Sequence, residues 1–146
     1  MDRHQTRTNE LEEMQVNTKL ILAALWASFM FMYIYVDYFH LYVPGSLNDI
    51  LVGRVFTFEI NEAFALAGLA SVTIPAMMIF SSVTLPSSVN RLANIVIATI
   101  YISYSLFNVI GETWPHIFFG AAVEVMLLLF IIHYALKWPR TEIEQN

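Results

Sequence analysis

One carboxylate lies deep inside an apolar stretch of this sequence. Glu124 is the only charged residue between Pro115 and Leu136. A charged group at the centre of a membrane helix costs roughly 2.5–3.5 kcal/mol on insertion scales, so residues of this kind are usually functional. His116 and Gly120 precede it by two turns and one turn of helix. Glu124 is therefore the first candidate for ligand binding or proton transfer, and a neutral, hydrogen-bonded carboxyl is the structural alternative.

Two other apolar stretches carry polar residues at helical spacing, in steps of three or four, and a third carries Glu62 near its outer end. Residues at these steps share one helix face. If the helices pack side by side, all four contribute polar groups to one outward-facing pocket within the bundle. The candidates for ligand binding or an ion pathway are Glu124, His116, Tyr104, Tyr101, Asn108, Glu112, Asp37, His40, Glu62 and Tyr33. The alternatives are interfacial contact with water for the ionisable residues, and packing for the tyrosines.

The overall composition indicates a membrane protein. The chain of 146 residues is 58% hydrophobic and 13% charged, whereas soluble domains have about 45–50% apolar and about 25% charged residues. The absence of cysteine excludes disulfides and cysteine-ligated metals. A net charge of −5 argues against nucleic-acid binding, which needs a basic surface.

Four stretches are long enough to cross a bilayer as helices, which takes about 20 residues each. We predict an all-α, four-helix transmembrane bundle over residues 19–139, with a cytoplasmic arm at 1–18 and a cytoplasmic tail at 140–146. The predicted spans cover residues 19–41, 61–82, 90–111 and 115–137. Pro75 should bend the second span, and a hydroxyl or a water should satisfy the carbonyl that it frees near Ser71.

The distribution of basic residues predicts the orientation. One side of the four-span arrangement holds Arg3, Arg7, Lys19, Arg91, Lys137 and Arg140, whereas the other side holds Arg54. Basic residues favour the cytoplasmic side, so both termini should be cytoplasmic. On the outer side we expect a short helix from Ser46, as its cap, through Arg54, with Leu47, Ile50 and Leu51 facing the membrane surface.

The depth of Glu124 suggests its partners. The third and fourth spans are joined by a short turn, so they should pack antiparallel, with Glu124 at the depth of residues 101–105. We expect Glu124 to face the bundle interior within hydrogen-bonding reach of a polar group on the first or third span. The candidates are Tyr101, Tyr104, Ser105 and Tyr33, with Tyr104 as the first choice.

Three segments carry a family resemblance. They are ALWASFMFMYIYVDYFHL in the first span, SSVNRLANIVI before the third, and FFGAAVEVMLLLFIIHYALKWP in the fourth. Between Lys19 and Pro139 the chain resembles an uncharacterised family of small bacterial four-span membrane proteins, which is broadly similar to the DoxX-like group. The resemblance implies four helices in a bacterial inner membrane, and it implies no particular activity.

Three functions remain open. The first is an integral membrane protein that binds a lipophilic or small polar ligand in the outward-facing pocket, or serves as an accessory subunit. The second is an oligomeric channel or a proton or ion transporter using Glu124. The third is an enzyme acting on a lipid or quinone, which the absence of a recognisable catalytic set disfavours. No metal or haem motif is evident and the cofactor is left open. Membrane lipids and a homo-oligomer or larger membrane complex are the expected partners.

Overall fold

Five helices and one small hairpin make up the part of the chain that the structure describes. The computed structural model describes residues 15–139, so the predicted arm lies mostly, and the tail entirely, outside the described residues. The helices are α1 (Thr18–His40), α2 (Ser46–Leu51), α3 (Glu62–Thr84), α4 (Ser87–Asn108) and α5 (Pro115–Leu136). Strands β1 (Arg54–Val55) and β2 (Phe58–Glu59) pair antiparallel, with Arg54 opposite Glu59. The predicted all-helical class is confirmed.

Three of the helices are long and apolar enough to cross a membrane, namely α1, α3 and α5. Each of the four predicted stretches coincides with one long helix. The remaining helix, α4, has 22 residues, the same length as α5. It is more polar because Asn90, Arg91 and Asn94 occupy its first two turns.

Local signals in the sequence fix the helix ends. The side chains of Asn17 and Asn61 cap α1 and α3, because each Oδ1 accepts a hydrogen bond from a backbone N–H of the first turn, at 2.9 Å in both cases. Pro115 occupies the first turn of α5, where its missing N–H costs no helical hydrogen bond. Pro86 separates α3 from α4, since the residue before a proline disfavours the helical conformation.

The long helices form a bundle in which α1 packs between α3 and α5, and α4 packs on α5 and more lightly on α3. Contacts between distant residues give the directions. Ser105 meets Glu124 and Arg91 meets Ala135, so α4 and α5 run antiparallel, as predicted. The core is aromatic at its centre, where Trp26 and Phe29 pack edge-to-face against Tyr101, with ring centroids 6.4 and 5.8 Å apart.

The connection between α1 and α3 differs from its prediction. The short helix begins at Ser46 but ends at Leu51, not at Arg54, and residues 52–60 turn back as the hairpin. Gly45, not Ser46, is the residue that caps it, and no side chain makes a cap hydrogen bond. Gly53 has a φ of 81°, which a helix cannot accommodate, so Arg54 leaves the helix and pairs as a strand.

Candidate functional site

Glu124 lies inside the bundle. Its side chain is buried, and Oε2 accepts a hydrogen bond of 2.7 Å from the hydroxyl of Ser105 on α4. The prediction that Glu124 faces the interior and meets a polar group of the third long helix is therefore confirmed. The first choice of partner, Tyr104, is wrong. Asp37 lies on α1, and its side chain is exposed.

A tyrosine cluster fills the same half of the bundle. The hydroxyl of Tyr33 on α1 donates to the hydroxyl of Tyr104 on α4, at 3.2 Å, and lies 3.4 Å from the hydroxyl of Ser71 on α3. Tyr101 donates to the backbone carbonyl of Ser71 at 2.5 Å. Pro75 has no N–H to offer that carbonyl, so the tyrosine replaces the missing helical donor. The predicted rescue of the Ser71 carbonyl by a hydroxyl is confirmed, and a bend at Pro75 stays a prediction.

A second polar cluster lies nearer the N-terminal end of α4. Asn94 accepts a hydrogen bond of 2.7 Å from the indole N–H of Trp26. Its amide nitrogen donates to the side-chain oxygen of Asn90 at 2.6 Å, and Asn90 donates to the carbonyl of Ser82 at 2.6 Å. All of these side chains are buried. The cluster joins α1, α3 and α4 through bonds that leave no amide group of Asn94 unpaired, as a buried polar group requires.

Two basic side chains bind backbone carbonyls at the C-terminal ends of α3 and α5, at the end of the bundle where α1 begins. Lys19 Nζ donates to the carbonyl of Leu85 at 2.7 Å, just after α3 ends. Arg91 Nε donates to the carbonyl of Ala135 at 3.2 Å, in the last turn of α5. Carbonyls at a helix C-terminus lack donors and carry partial negative charge, which explains why basic side chains bind there.

The end of the bundle where α1 finishes at His40, here called the His40 end, gathers other predicted residues. His40 Nδ1 lies 4.0 Å from Glu112 Oε1 in the turn between α4 and α5. The ring of Phe56, from the hairpin, lies over the His40 ring with centroids 5.0 Å apart. The structure thus brings His40 and Glu112 together, whereas Asn108 and Glu62 are exposed and join neither cluster.

Gly120 is a point of close contact between α5 and α1. A Cβ at this position would collide with the side chain of Val36. Val36 fills the space that Gly120 leaves one turn before Glu124, so this space holds a helix contact. Gly120 separates two cavities that lie along the line where α1 meets α5, here called the α1–α5 seam.

The larger cavity lies on the Thr18 side of Gly120 and has a volume of about 510 Å³. We call it the seam groove, and its lining is almost entirely apolar: Val16, Leu20, Ile21, Ala24, Leu25, Ser28, Phe130 and Tyr134. Ligand sites typically measure about 300–1,000 Å³ and have apolar walls. None of the ten predicted site residues lines it, because all ten are polar or carry a polar group in the bundle and this cavity contains almost no polar side chain.

The smaller cavity lies at the His40 end and measures about 160 Å³. We call it the aromatic pocket, and its lining is Phe39, Tyr42, Val43, Trp114 and His116. The Tyr42 hydroxyl lies 2.9 Å from that of Tyr38, and this hydrogen bond raises the pKa of Tyr42. His116 is thus the one predicted residue that borders either of these two cavities.

Besides the lining of the seam groove, the residues of the Asn94 cluster are absent from the predicted site. Asn90 and Asn94 are four residues apart, which places both on one face of α4. That spacing was the available signal, but their partners Trp26 and Ser82 come from other helices. Among residues 15–139, no group of three or more His, Asp or Glu side chains is placed to hold a metal ion.

Comparison with known proteins places the chain in a family. Residues 10–145 match a family of unknown function, DUF6326. The chain belongs to this family. No curated protein and no solved structure matches it significantly. The resemblance to an uncharacterised family is confirmed to this extent, and the similarity to the DoxX-like group stays a prediction.

Proposed function

We propose that this DUF6326 protein is a four-span protein of the bacterial inner membrane, with both termini in the cytoplasm. Counting α4 as a span rests on where its polar side chains lie. Asn90, Asn94 and Ser105 are buried against the other helices, so lipid would meet the apolar face of α4. Arg91 is half-buried and hydrogen-bonded at the end where basic residues concentrate. The orientation follows from that concentration.

The proposed function is binding of a lipophilic ligand in the seam groove. The observation that carries it is the volume of about 510 Å³ between apolar walls on two spans. In the proposed orientation the groove opens to the cytoplasmic half of the bilayer. Lys137, one turn beyond Tyr134, then lies where an anionic head group would be. An acyl chain in the groove and a phosphate beside Lys137 define a phospholipid as the simplest occupant.

Native mass spectrometry with phosphatidylglycerol as the probe tests this function. The delipidated protein in detergent should retain one phosphatidylglycerol molecule per chain in preference to further copies. Ala24→Phe places a ring in the groove and should remove this preferential binding. Ala70→Phe is the matched control, because Ala70 is exposed on α3 and does not line the groove. Equal lipid retention by the parent and Ala24→Phe would contradict the proposal.

Proton or ion transport is the second candidate, and the burial of Glu124 favours it. A carboxyl in the middle of α5 with a single hydroxyl donor can exchange a proton or bind a cation if water reaches it. Asp37, an exposed residue in the last turn of α1, supplies a second carboxylate toward the His40 end. Proteoliposomes containing a pH-sensitive dye test this candidate. Transport predicts a proton flux that Glu124→Gln abolishes, and a flux equal to that of empty liposomes would exclude it.

A further inference from the structure

The aromatic pocket has a chemical character that the seam groove lacks. Four of its five lining residues carry aromatic or imidazole rings, contributed by the end of α1 and by the start of α5. The rings of Phe39 and Tyr42 lie 5.8 Å apart, and those of Trp114 and His116 lie 6.1 Å apart. The walls are therefore two ring pairs that face a small cavity between two helices. The faces of aromatic rings carry partial negative charge and attract cations.

The charges at the His40 end favour the same kind of ligand. Five carboxylates lie in the last turn of α1, the loop, the first turn of α3 and the turn before α5, and one arginine accompanies them: Asp37, Asp49, Glu59, Glu62, Glu112 and Arg54. Their summed field attracts cations toward this end and repels anions. A neutral apolar ligand would gain nothing from that field.

The unpaired side chain of His116 indicates a further chemical group that the ligand should carry. Its Nε2 atom is buried and has no hydrogen-bond partner among the described residues. Buried polar atoms are nearly always paired, so an unpaired one marks a place where another group belongs. A hydroxyl group suits either tautomer of the imidazole, because a hydroxyl both donates and accepts.

We propose that the aromatic pocket binds a small, free organic cation that carries a trimethylammonium head and a hydroxyl group. The head lies against the rings of Phe39, Tyr42 and Trp114, and the hydroxyl bonds to His116 once the side chain turns to bring its buried Nε2 atom to the cavity. The cavity of about 160 Å³ limits the ligand to a few heavy atoms beyond the head. This site lies on the other side of Gly120 from the seam groove, so the proposal of cation binding here does not depend on lipid binding in the seam groove.

Three probes separate the contributions of the positive charge and of the hydroxyl group to the binding affinity. Binding is measured by calorimetry in nanodiscs of phosphatidylglycerol, which contain no trimethylammonium group. Choline should bind, and 3,3-dimethylbutan-1-ol, its neutral isostere, should bind about tenfold more weakly because it lacks the cation–π attraction. Tetramethylammonium, which lacks the hydroxyl, should bind with intermediate affinity. Equal binding of choline and the neutral isostere would overturn the proposal, as would no saturable choline binding below about 10 mM.

Ring-removing variants locate the site. Tyr42→Leu and Trp114→Leu should each weaken choline binding about tenfold, whereas Tyr42→Phe keeps the ring and should bind like the parent. Tyr35→Leu is the matched control, because Tyr35 is an exposed ring of α1 that does not line the pocket. Tyr42 is exposed, so its variants carry the test even if Trp114→Leu does not fold. Unchanged choline affinity in Tyr42→Leu would place the binding elsewhere.

Discussion

The hydroxyl of Tyr101 on α4 donates a 2.5 Å hydrogen bond to the backbone carbonyl of Ser71 on α3. This carbonyl is the one that Pro75, four residues further on, leaves without a helical donor. An apolar environment makes an unpaired carbonyl costly. The proline in α3 and the tyrosine in α4 therefore form a functional pair in the folding of the bundle, although α3 and α4 otherwise pack lightly.

Removing the Tyr101 hydroxyl tests this pairing. Tyr101→Phe should lower the free energy of unfolding by about 1 kcal/mol, because the Ser71 carbonyl loses its donor. In a Pro75→Ala background the new backbone N–H can satisfy the carbonyl, so the same change should cost clearly less. SDS unfolding in mixed micelles measures both costs in a double-mutant cycle. Equal costs in the two backgrounds would mean that Tyr101 acts through packing alone.

Glu124 and Ser105 make a second prediction about stability. Ser105→Ala leaves a buried carboxyl without its donor and should cost about 1–3 kcal/mol of unfolding free energy. Glu124→Gln keeps an oxygen that accepts from Ser105, so it should unfold close to the parent. Thermal unfolding in detergent, followed by circular dichroism, measures both.

The matched control for this pair is Ser103→Ala, since Ser103 is exposed on α4 and bonds only to the backbone of its own helix. If Ser105→Ala proves as stable as Ser103→Ala, the hydrogen bond to Glu124 contributes nothing to the fold. Strong destabilisation by Glu124→Gln would likewise contradict the expectation that an amide can replace the carboxyl as the acceptor for Ser105.

The contact between Gly120 and Val36 predicts that a larger residue at position 120 requires a smaller residue at position 36. Gly120→Ala introduces a methyl group where Val36 already lies, and overpacking of this kind costs about 1–3 kcal/mol. Val36→Ala should restore much of the loss, because it removes the atoms that the new Cβ meets. Gly68→Ala is the control, since a Cβ at Gly68 meets nothing within 4 Å. Failure of Val36→Ala to rescue Gly120→Ala would show that the clash lies elsewhere.

The helices themselves could be predicted because long apolar stretches are bounded by polar residues and prolines, and an asparagine or a proline lies at the start of each long helix. The interior position of Glu124 followed from the same physics, since lipid offers a carboxyl no partner. Ser105 was among the four candidate partners, but the choice between it and Tyr104 could not be predicted. Tyr104 and Ser105 lie at almost the same depth but about 100° apart around α4. Which of them faces α5 depends on how the helices rotate against each other.

The Asn94 cluster and the α1–α3 loop are two further features that could not be predicted from the sequence. Trp26 and Asn94 meet only because α1 and α4 run parallel across the bundle, and no local pattern encodes that neighbourhood. Leu47, Ile50 and Leu51 indicated a longer helix in the loop. The backbone at Gly53 ended it instead, with a positive φ that periodicity does not reveal.

The orientation in the membrane gives the last prediction. The proposed four-span arrangement assigns six Lys and Arg residues to the side of the N-terminus and of the α3–α4 connection, and Arg54 to the other side. Reporter fusions at Arg91 and Asn146 should therefore be active in the cytoplasm, and fusions at Asp49 and Thr113 should be active outside. Fusions at Arg91 and Thr113 on opposite sides would establish that α4 crosses the membrane, since it lies between them. If both report from the same side, α4 is not a span, and the three apolar helices α1, α3 and α5 would put the termini on opposite sides.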